Sequence, residues 1–266
     1  MALSREKAKM IERLRNPRFR GREGSFLVEG VRAAKEFLVG GGKVKPRFAL
    51  VSPKLSHTEA GRQLEELLGG SGLLVEEVSD EEMCRLSDTE QSQGVLMVVA
   101  EPNTSLASFS VDGASRILLL DGIQDPGNGG TLIRAAWAFG LQGVICLDGS
   151  VDPFNPKVVR ASAGAVAHIP VLKAPWAKVE GWLREKGLPL LLADSDGSDV
   201  RTYPAPSGWG LVVGNEGAGP REALRSVARG SLSIPMEPGV DSLNAGLAGA
   251  ILLFSLVGKP GTGMES

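Results

Sequence analysis

Five short, almost uniformly apolar runs recur in the second half of the chain, at residues 117–121, 144–147, 190–193, 211–214 and 232–234, and segments with helical spacing separate them. Runs of this kind suit strands buried on both faces, and strands joined through helices lie parallel, since an antiparallel neighbour needs only a tight turn. An α/β domain with a parallel sheet follows. Its helices begin near residues 128, 155, 175 and 220, with a last one over 242–257. The ligand site of such a sheet is expected at the carboxyl ends of its strands.

Residues 26–101 alternate as well: a helix over 31–39, a strand at 48–52, a helix over 59–68, a strand at 73–78, a short helix at 80–86 and a strand at 95–99. This is a smaller α/β unit. Between 101 and 115 the sequence turns to Pro, Ser and Asn with few large apolar residues, as a linker does. The expected division is residues 1–105 for a basic segment and the small unit, 106–115 for the linker, and 116–266 for the parallel-sheet domain. A chain of 266 residues suits two domains of that size.

The longest apolar run, 245–257, falls short of the ~20 residues that a membrane span needs. The N-terminus turns charged at once, without the apolar stretch of a secretion signal, so a soluble cytoplasmic protein with no membrane partner is expected. Cys84 and Cys146 are expected to be reduced core residues. His57 and His168 are far from each other and from the cysteines in sequence, so no metal site is expected, and His168 reads as structural.

The net charge of −2 conceals an asymmetry: residues 1–47 hold 13 Lys/Arg against 5 Asp/Glu, and the remainder holds 16 against 26. The densest part carries Arg13, Arg15, Arg18, Arg20 and Arg22 around Phe19. That composition fits a segment that contacts RNA phosphates beside an aromatic that stacks. It fits equally a solvated helix face followed by a polar loop.

Three strand-to-loop handovers are rich in glycine and polar residues. After 117–121 comes Asp121-Gly122-Ile123-Gln124-Asp125-Pro126-Gly127-Asn128-Gly129-Gly130, and helical spacing from Thr131 to Phe139 puts Arg134 in the first turns of a helix, facing that loop. Alone, this is either an Asn-Gly turn with an exposed arginine or a place where a permanently charged planar fork meets a phosphate or carboxylate. The second handover runs from Leu211 into Gly214-Asn215-Glu216-Gly217-Ala218-Gly219-Pro220. Its glycine order is not the dinucleotide fingerprint and it lacks the Gly-Lys-Ser/Thr of a phosphate loop, yet it permits the close backbone approach a nucleoside-containing cofactor needs. The third joins Ile234-Pro235-Met236 to Asp241-Ser242-Leu243-Asn244, with Ser242 expected to cap the last helix. Small residues at 245, 246 and 248–250 allow that helix to pack tightly, at a crowded core or a dimer interface.

In this order and spacing the three segments resemble the signature of the SpoU (TrmH-like) family of RNA ribose 2′-O-methyltransferases, in the SPOUT superfamily. Asn128 stands six residues before Arg134 in a D-P-x-N…R-A-A frame, G-N-E-G occupies 214–217, and S-L-N occupies 242–244 after an I-P-M strand end. The likeness spans about 140 residues, and Gly24–Gly30 with Gln93-Gly94-Val95 also resemble landmarks of the substrate-binding domain that rRNA-directed members carry. The resemblance implies a C-terminal domain with a deep trefoil knot, an exception to the rule that chains are unthreaded. It also implies S-adenosyl-L-methionine bound in the knot near Gly214, Asn215, Gly217, Ile234, Met236 and Leu243, and a homodimer. Arg134 is the implied catalytic centre, oriented with Asn128, Glu216, Ser242 and Asn244. Two motifs depart from the family pattern: the third continues Ala245-Gly246, where relatives often carry a branched residue and a serine, and the first has Ala135, where many carry threonine. The implied substrate is RNA, with 23S rRNA favoured over tRNA because of the basic N-terminal domain. A protein of the same fold that has lost catalysis and serves ribosome assembly is the alternative.

Overall fold

The computed structural model describes residues 3–40 and 44–258, so the outermost residues of both expected domains lie outside the described residues. The chain forms two compact units, one of residues 1–103 and 154–168 and the other of residues 104–153 and 169–266. The excursion 154–168 belongs to the first unit although both its ends lead into strands of the second, an assignment that a continuous division of the sequence does not anticipate.

In the first unit, α1 (Arg5–Leu14) is capped by Ser4 and buries Ile11 and Leu14. Asn16 and Pro17 open α2 (Pro17–Glu23), and Gly24, at φ 55°, closes it in the left-handed conformation that glycine adopts without penalty. There follow β1 (Ser25–Glu29), α3 (Val31–Val39), β2 (Pro46–Val51), α4 (Glu59–Gly70), β3 (Leu74–Glu77), α5 (Asp80–Leu86) and β4 (Val95–Ala100). The sheet order is β1-β4-β2-β3, antiparallel except between β2 and β3. Leu27, Phe48, Leu50, Leu96 and Val98 of the sheet meet Ile11, Leu14, Met83 and Leu86 of the helices in one core. Phe26 packs against Phe37 and against Phe154 of the excursion. That excursion continues as α7 in chain order (Pro156–Ala161) and a 3-10 turn, after which His168 meets Glu36 at 2.7 Å. Cys84 lies exposed on α5, so it is not the core residue expected, because the buried face of that short helix is taken by Met83 and Leu86.

The second unit is built on β5 (Arg116–Asp121), α6 (Pro126–Ala138), β6 (Gly143–Leu147), β7 (Val171–Ala174), α8 (Trp176–Lys186), β8 (Leu190–Asp199), β9 (Trp209–Gly214), α9 (Glu222–Arg225), β10 (Gly230–Ser233) and α10 (Ala245–Val257). All six strands are parallel, in the order β10-β8-β9-β5-β6-β7. On one face, Trp176, Val179, Trp182 and Leu183 of α8 cover Ile117, Ile145, Leu172 and Leu190. Phe109 joins that core and stacks on Trp182 at 5.6 Å, so part of the segment read as a linker is buried. Elsewhere in the unit α10 runs against α6, so close that a Cβ on Gly249 would come within 2.3 Å of Leu132 Cδ2 and 3.0 Å of Val213 Cγ2. The small residues of α10 are thus used for packing within the chain.

The chain moves outward from β5 to β6 and β7, then resumes on the other side with β8 and β9. The order therefore reverses between β5 and β9, and in a parallel sheet the crevice at such a reversal, above the carboxyl ends of the strands, is where ligands bind.

Candidate active site

Asp121 and Gly214 end their strands side by side at that reversal. Asp121 is buried, and its carboxylate accepts from the backbone N–H (2.8 Å) and Nε (2.5 Å) of Arg221, whose Nη1 also reaches Asp148 Oδ2 at 2.9 Å. The bond ties the far end of the loop 214–220 to the end of β5. Gly214 is required sterically: a Cβ there would lie 2.1 Å from the nitrogen of Pro220 and 2.3 Å from the carbonyl carbon of Gly219. Asn215 organises the turn from inside, its Oδ1 accepting from the amides of Gly217 (3.1 Å) and Ala218 (3.0 Å) while its Nδ2 donates to the carbonyl of Gly122 (2.8 Å).

The first two handovers meet through Glu216. Its carboxylate accepts from Asn128 Nδ2 at 3.0 Å and from the amides of Asp125 (3.2 Å) and Gln124 (3.3 Å). Burial penalises the charged form, but those donated hydrogen bonds outweigh it and hold the carboxyl below its ordinary range. Asn128 is buried on the first turn of α6, whose start is fixed by Asp125 accepting from the Asn128 amide at 2.8 Å and by Pro126. The helix opens at Pro126, ahead of the position expected.

The third handover closes on the same place. Asn244, not Ser242, caps α10, accepting from the Leu247 amide at 3.1 Å, because the chain stays irregular until residue 244. A Cβ on Gly246 would come within 3.2 Å of both Asn128 Oδ1 and Asn244 Oδ1, so the start of α10 abuts the start of α6.

Beside this junction lies a cavity of about 390 Å³. Gly214, Asn215, Glu216 and Gly217 form one wall, Ile234 and Met236 another, and Ser242 and Leu243 a third, with Val213, Leu232, Ala245, Ala248 and Leu252 supplying apolar floor. Of the residues expected at the site, Asn128 and Asn244 adjoin the cavity without lining it, and Arg134 stands apart from its lining. Arg134 is exposed two turns beyond the start of α6, with no hydrogen bond or ion pair among the described residues. The sequence reading overlooked Asp194, Ser195 and Asp196, which also line the cavity because β8 runs on past 193 to Asp199. Burial disfavours the Asp194 charge, but the Asp196 amide and the Arg225 guanidinium overcome it and keep its carboxyl below the ordinary range. The repeated aspartates directly after an apolar strand were the available signal.

The basic N-terminal residues divide. Arg20 is buried, and its Nη1 donates to the carbonyls of Leu14 (3.0 Å) and Arg15 (2.8 Å), closing the end of α1. Arg15 donates to the carbonyls of Leu86 (2.9 Å) and Ser87 (2.7 Å) at the end of α5. Arg20 is thus corrected from a nucleic-acid contact to an internal cap, and Arg15 has a structural use. Arg13, lying over the Phe19 ring at 5.6 Å, and Arg18 and Arg22 remain exposed. Among the described residues no group of three His, Cys, Asp or Glu could hold a metal ion, and no helix is long and apolar enough to cross a membrane.

Residues 115–254 match the SpoU rRNA Methylase family, and residues 5–97 match the MRM3-like substrate binding domain. The chain belongs to the SpoU rRNA methylase family. It is 33% identical over 255 residues to the 23S rRNA (guanosine(2553)-2′-O)-methyltransferase RlmP of Bacillus subtilis, covering 95% of this chain and 96% of that protein. Among solved structures it is similar to the SpoU methyltransferase AviRb from Streptomyces viridochromogenes in complex with the cofactor AdoMet, with a TM-score of 0.84, 28% identity, and 96% of this chain and 97% of that one covered. The AdoMet-bound rRNA methyltransferase from Sinorhizobium meliloti is similar at a TM-score of 0.82 and 29% identity, with 96% and 95% covered. All three converging segments lie within the matched residues 115–254.

Proposed function

We propose that the chain is an S-adenosylmethionine-dependent methyltransferase acting on a ribose 2′-hydroxyl of 23S rRNA. The observation that carries this is the meeting of three sequence-distant segments at the strand-order reversal, where the Asn128–Glu216 bond locks the edge of a cavity walled by the loops 214–217, 234–236 and 241–243. The cavity suits the cofactor: an apolar floor receives a nucleoside and thioether chain, backbone polar groups of the glycine turn offer hydrogen bonds, and Asp194, Asp196 and Asp241 can meet its ammonium or hydroxyls. Bound there, the cofactor supplies an electrophilic methyl group on a sulfonium sulfur.

The chain's own residues position and stabilise. Asn128 and Glu216 fix the start of α6, and with it the helix that presents Arg134. Arg134, without a hydrogen bond or ion pair among the described residues, engages the target phosphate and stabilises the negative charge that develops on the ribose oxygen. Its high pKa makes this electrostatic role stronger than that of a free base. Holding the hydroxyl in line contributes several kcal/mol in reactions of this type.

The first unit supplies substrate binding through Arg13, Arg18 and Arg22, and the reaction belongs to the cytoplasm, as fits the bacterial rRNA methyltransferases that the chain is similar to. The path from edge strand β10 back to α10 against α6 fits a trefoil-knotted chain. The homodimer is supported by an outward apolar face on the same helices: Trp137, Leu247 and Phe254 are exposed, and Phe254 meets the ring of Phe139 at 5.7 Å. Methyl transfer from labelled cofactor to 23S rRNA and tRNA transcripts, with mapping of alkali-resistant ribose positions, tests the reading. Label at one 2′-oxygen of the 23S transcript is expected. Label on a base or only on tRNA would overturn the assignment, and cofactor-independent RNA binding would favour an inactive assembly factor.

A further inference from the structure

The first unit contains a second cleft, remote in sequence from the glycine loop of the cofactor cavity. It has a volume of about 200 Å³, too small for a whole cofactor by the ~300 Å³ at which ligand pockets begin. Its charged and amide side chains are Arg32, Arg160, Glu29, Gln91 and Gln93.

Glu29 has little capacity left. It is buried, and its carboxylate accepts from Ser87 Oγ, Thr89 Oγ1 and, at 3.0 Å, the Asp88 amide. Arg160 stands opposite at ion-pair range, with Nη1 3.6 Å from Glu29 Oε2 and Nη2 3.6 Å from Asp88 Oδ2. Neither separation is a hydrogen bond, and Nη1 is buried with no hydrogen-bond partner. A guanidinium N–H left so is costly unless something else accepts it. Arg32 is exposed and has no hydrogen bond or ion pair among the described residues. Around the cleft Arg160 therefore shares the two carboxylates of Glu29 and Asp88 at ion-pair range, while Arg32 keeps a positive charge that no described carboxylate meets.

The backbone fits the same ligand. The N-terminus of α3 opens here with Gly30 at φ 96° and no side-chain cap from that residue, which places the positive end of the helix at the cleft. Gln93 Oε1 accepts from the Val31 amide at 2.8 Å, so its NH₂ is left to donate. The cleft is also lined by Ala163, at φ 51° the only non-glycine residue with positive φ among the described residues. Alanine in the left-handed region costs about 1 kcal/mol or more, and such strain concentrates at functional sites.

We propose that this cleft holds one backbone phosphodiester of the RNA substrate, clamped between the guanidinium groups of Arg32 and Arg160, with the amides of Gln91 and Gln93 toward the adjoining nucleotide. A phosphodiester presents one negative charge to the unpaired Arg32, and two planar forks suit its two free oxygens. The proposal rests on the RNA-methyltransferase reading above. It makes α7 part of the substrate grip, carried on a segment whose two ends continue into β6 and β7 of the second unit.

The test titrates the full chain with an unmodified 23S rRNA transcript at several salt concentrations, with calorimetric binding of S-adenosylmethionine and thermal melting measured alongside. Arg32→Gln is expected to weaken RNA binding about 10-fold and to reduce the slope of log affinity against log salt by about 0.7 to 0.9, the value of one phosphate contact. Arg160→Gln should act in the same direction, and Arg160→Lys should restore part of the loss. Cofactor affinity should not move. Arg32 makes no hydrogen bond or ion pair among the described residues, so its variant keeps the test decisive if Arg160→Gln does not fold. RNA affinity and salt slope unchanged in folded Arg32→Gln would overturn the cleft while leaving the methyltransferase reading intact. A wild-type chain that binds cofactor but no transcript would overturn the reading, and the cleft with it.

Discussion

The parallel sheet and the mixed sheet use their polar residues in opposite ways. At the carboxyl ends of β5 and β9, backbone geometry is set by glycine and by short-range caps, and Asn128, Glu216 and Asn244 bond to loops and helix starts around a cavity. In the first unit two arginines from the most charged part of the sequence bond to backbone instead, with Arg15 and Arg20 closing the ends of α5 and α1. Charge density is therefore a weaker guide to a site than convergence. Two of five clustered arginines proved to hold backbone, whereas segments some 90 residues apart proved to share one carboxylate.

That contrast can be broken most severely at Gly214. Its replacement by valine forces the side chain into Pro220 and Gly219, and we expect about 100-fold weaker cofactor binding by calorimetry, corresponding to ~3 kcal/mol of overpacking. Near-normal binding would show that the glycine turn is not the wall of the cofactor cavity. Next in size is Arg20→Ala, which leaves two carbonyls without their donor and should destabilise by about 2–3 kcal/mol in denaturant unfolding, against ~0.5 kcal/mol or less for Arg18→Ala. Equal losses at the two positions would erase the distinction between internal cap and free surface.

The smallest effect is acid-dependent. Because the folded-state value of Glu216 is lowered, its contribution to stability is complete above the unfolded value of about 4.3 and is lost as pH falls through the folded value. Glu216→Gln should lose this contribution at neutral pH and flatten the stability profile below pH ~4.5, where variant and wild type converge. An unaltered acid limb would mean that the hydrogen bonds from Asn128, Asp125 and Gln124 do not favour its charged form.

The parallel sheet was legible because its central strands are apolar on both faces, as in Leu118-Leu119-Leu120 and Leu211-Val212-Val213, and because the Asn128, Glu216 and Asn244 motifs sit at strand ends. Two strands escaped notice for physical reasons. β1 ends in a charged residue, Glu29, which is buried only because Ser87, Asp88 and Thr89 donate to it from far along the chain. β7 has four residues, one of them Lys173, which pairs with Asp152. The continuation of β8 through Asp194-Ser195-Asp196 was masked by turn-forming residues, and its pairing with β10 is long-range. The helix of the excursion 154–168 was legible from its start near 155, but its place in the first unit depends on tertiary contacts such as Phe154 with Phe26, which no local pattern encodes.

The central claim is that the three segments make one site with Arg134 at its chemical centre. It is tested most directly by measuring, on the same preparation of Arg134→Ala, methyl transfer to the 23S transcript and calorimetric binding of S-adenosylmethionine. The account predicts that transfer falls by about 10²–10³-fold, the usual loss when one stabilising donor is removed, while the cofactor dissociation constant stays within about two-fold because Arg134 does not line the cavity. Undiminished transfer, or a cofactor affinity lost together with it, would contradict the account.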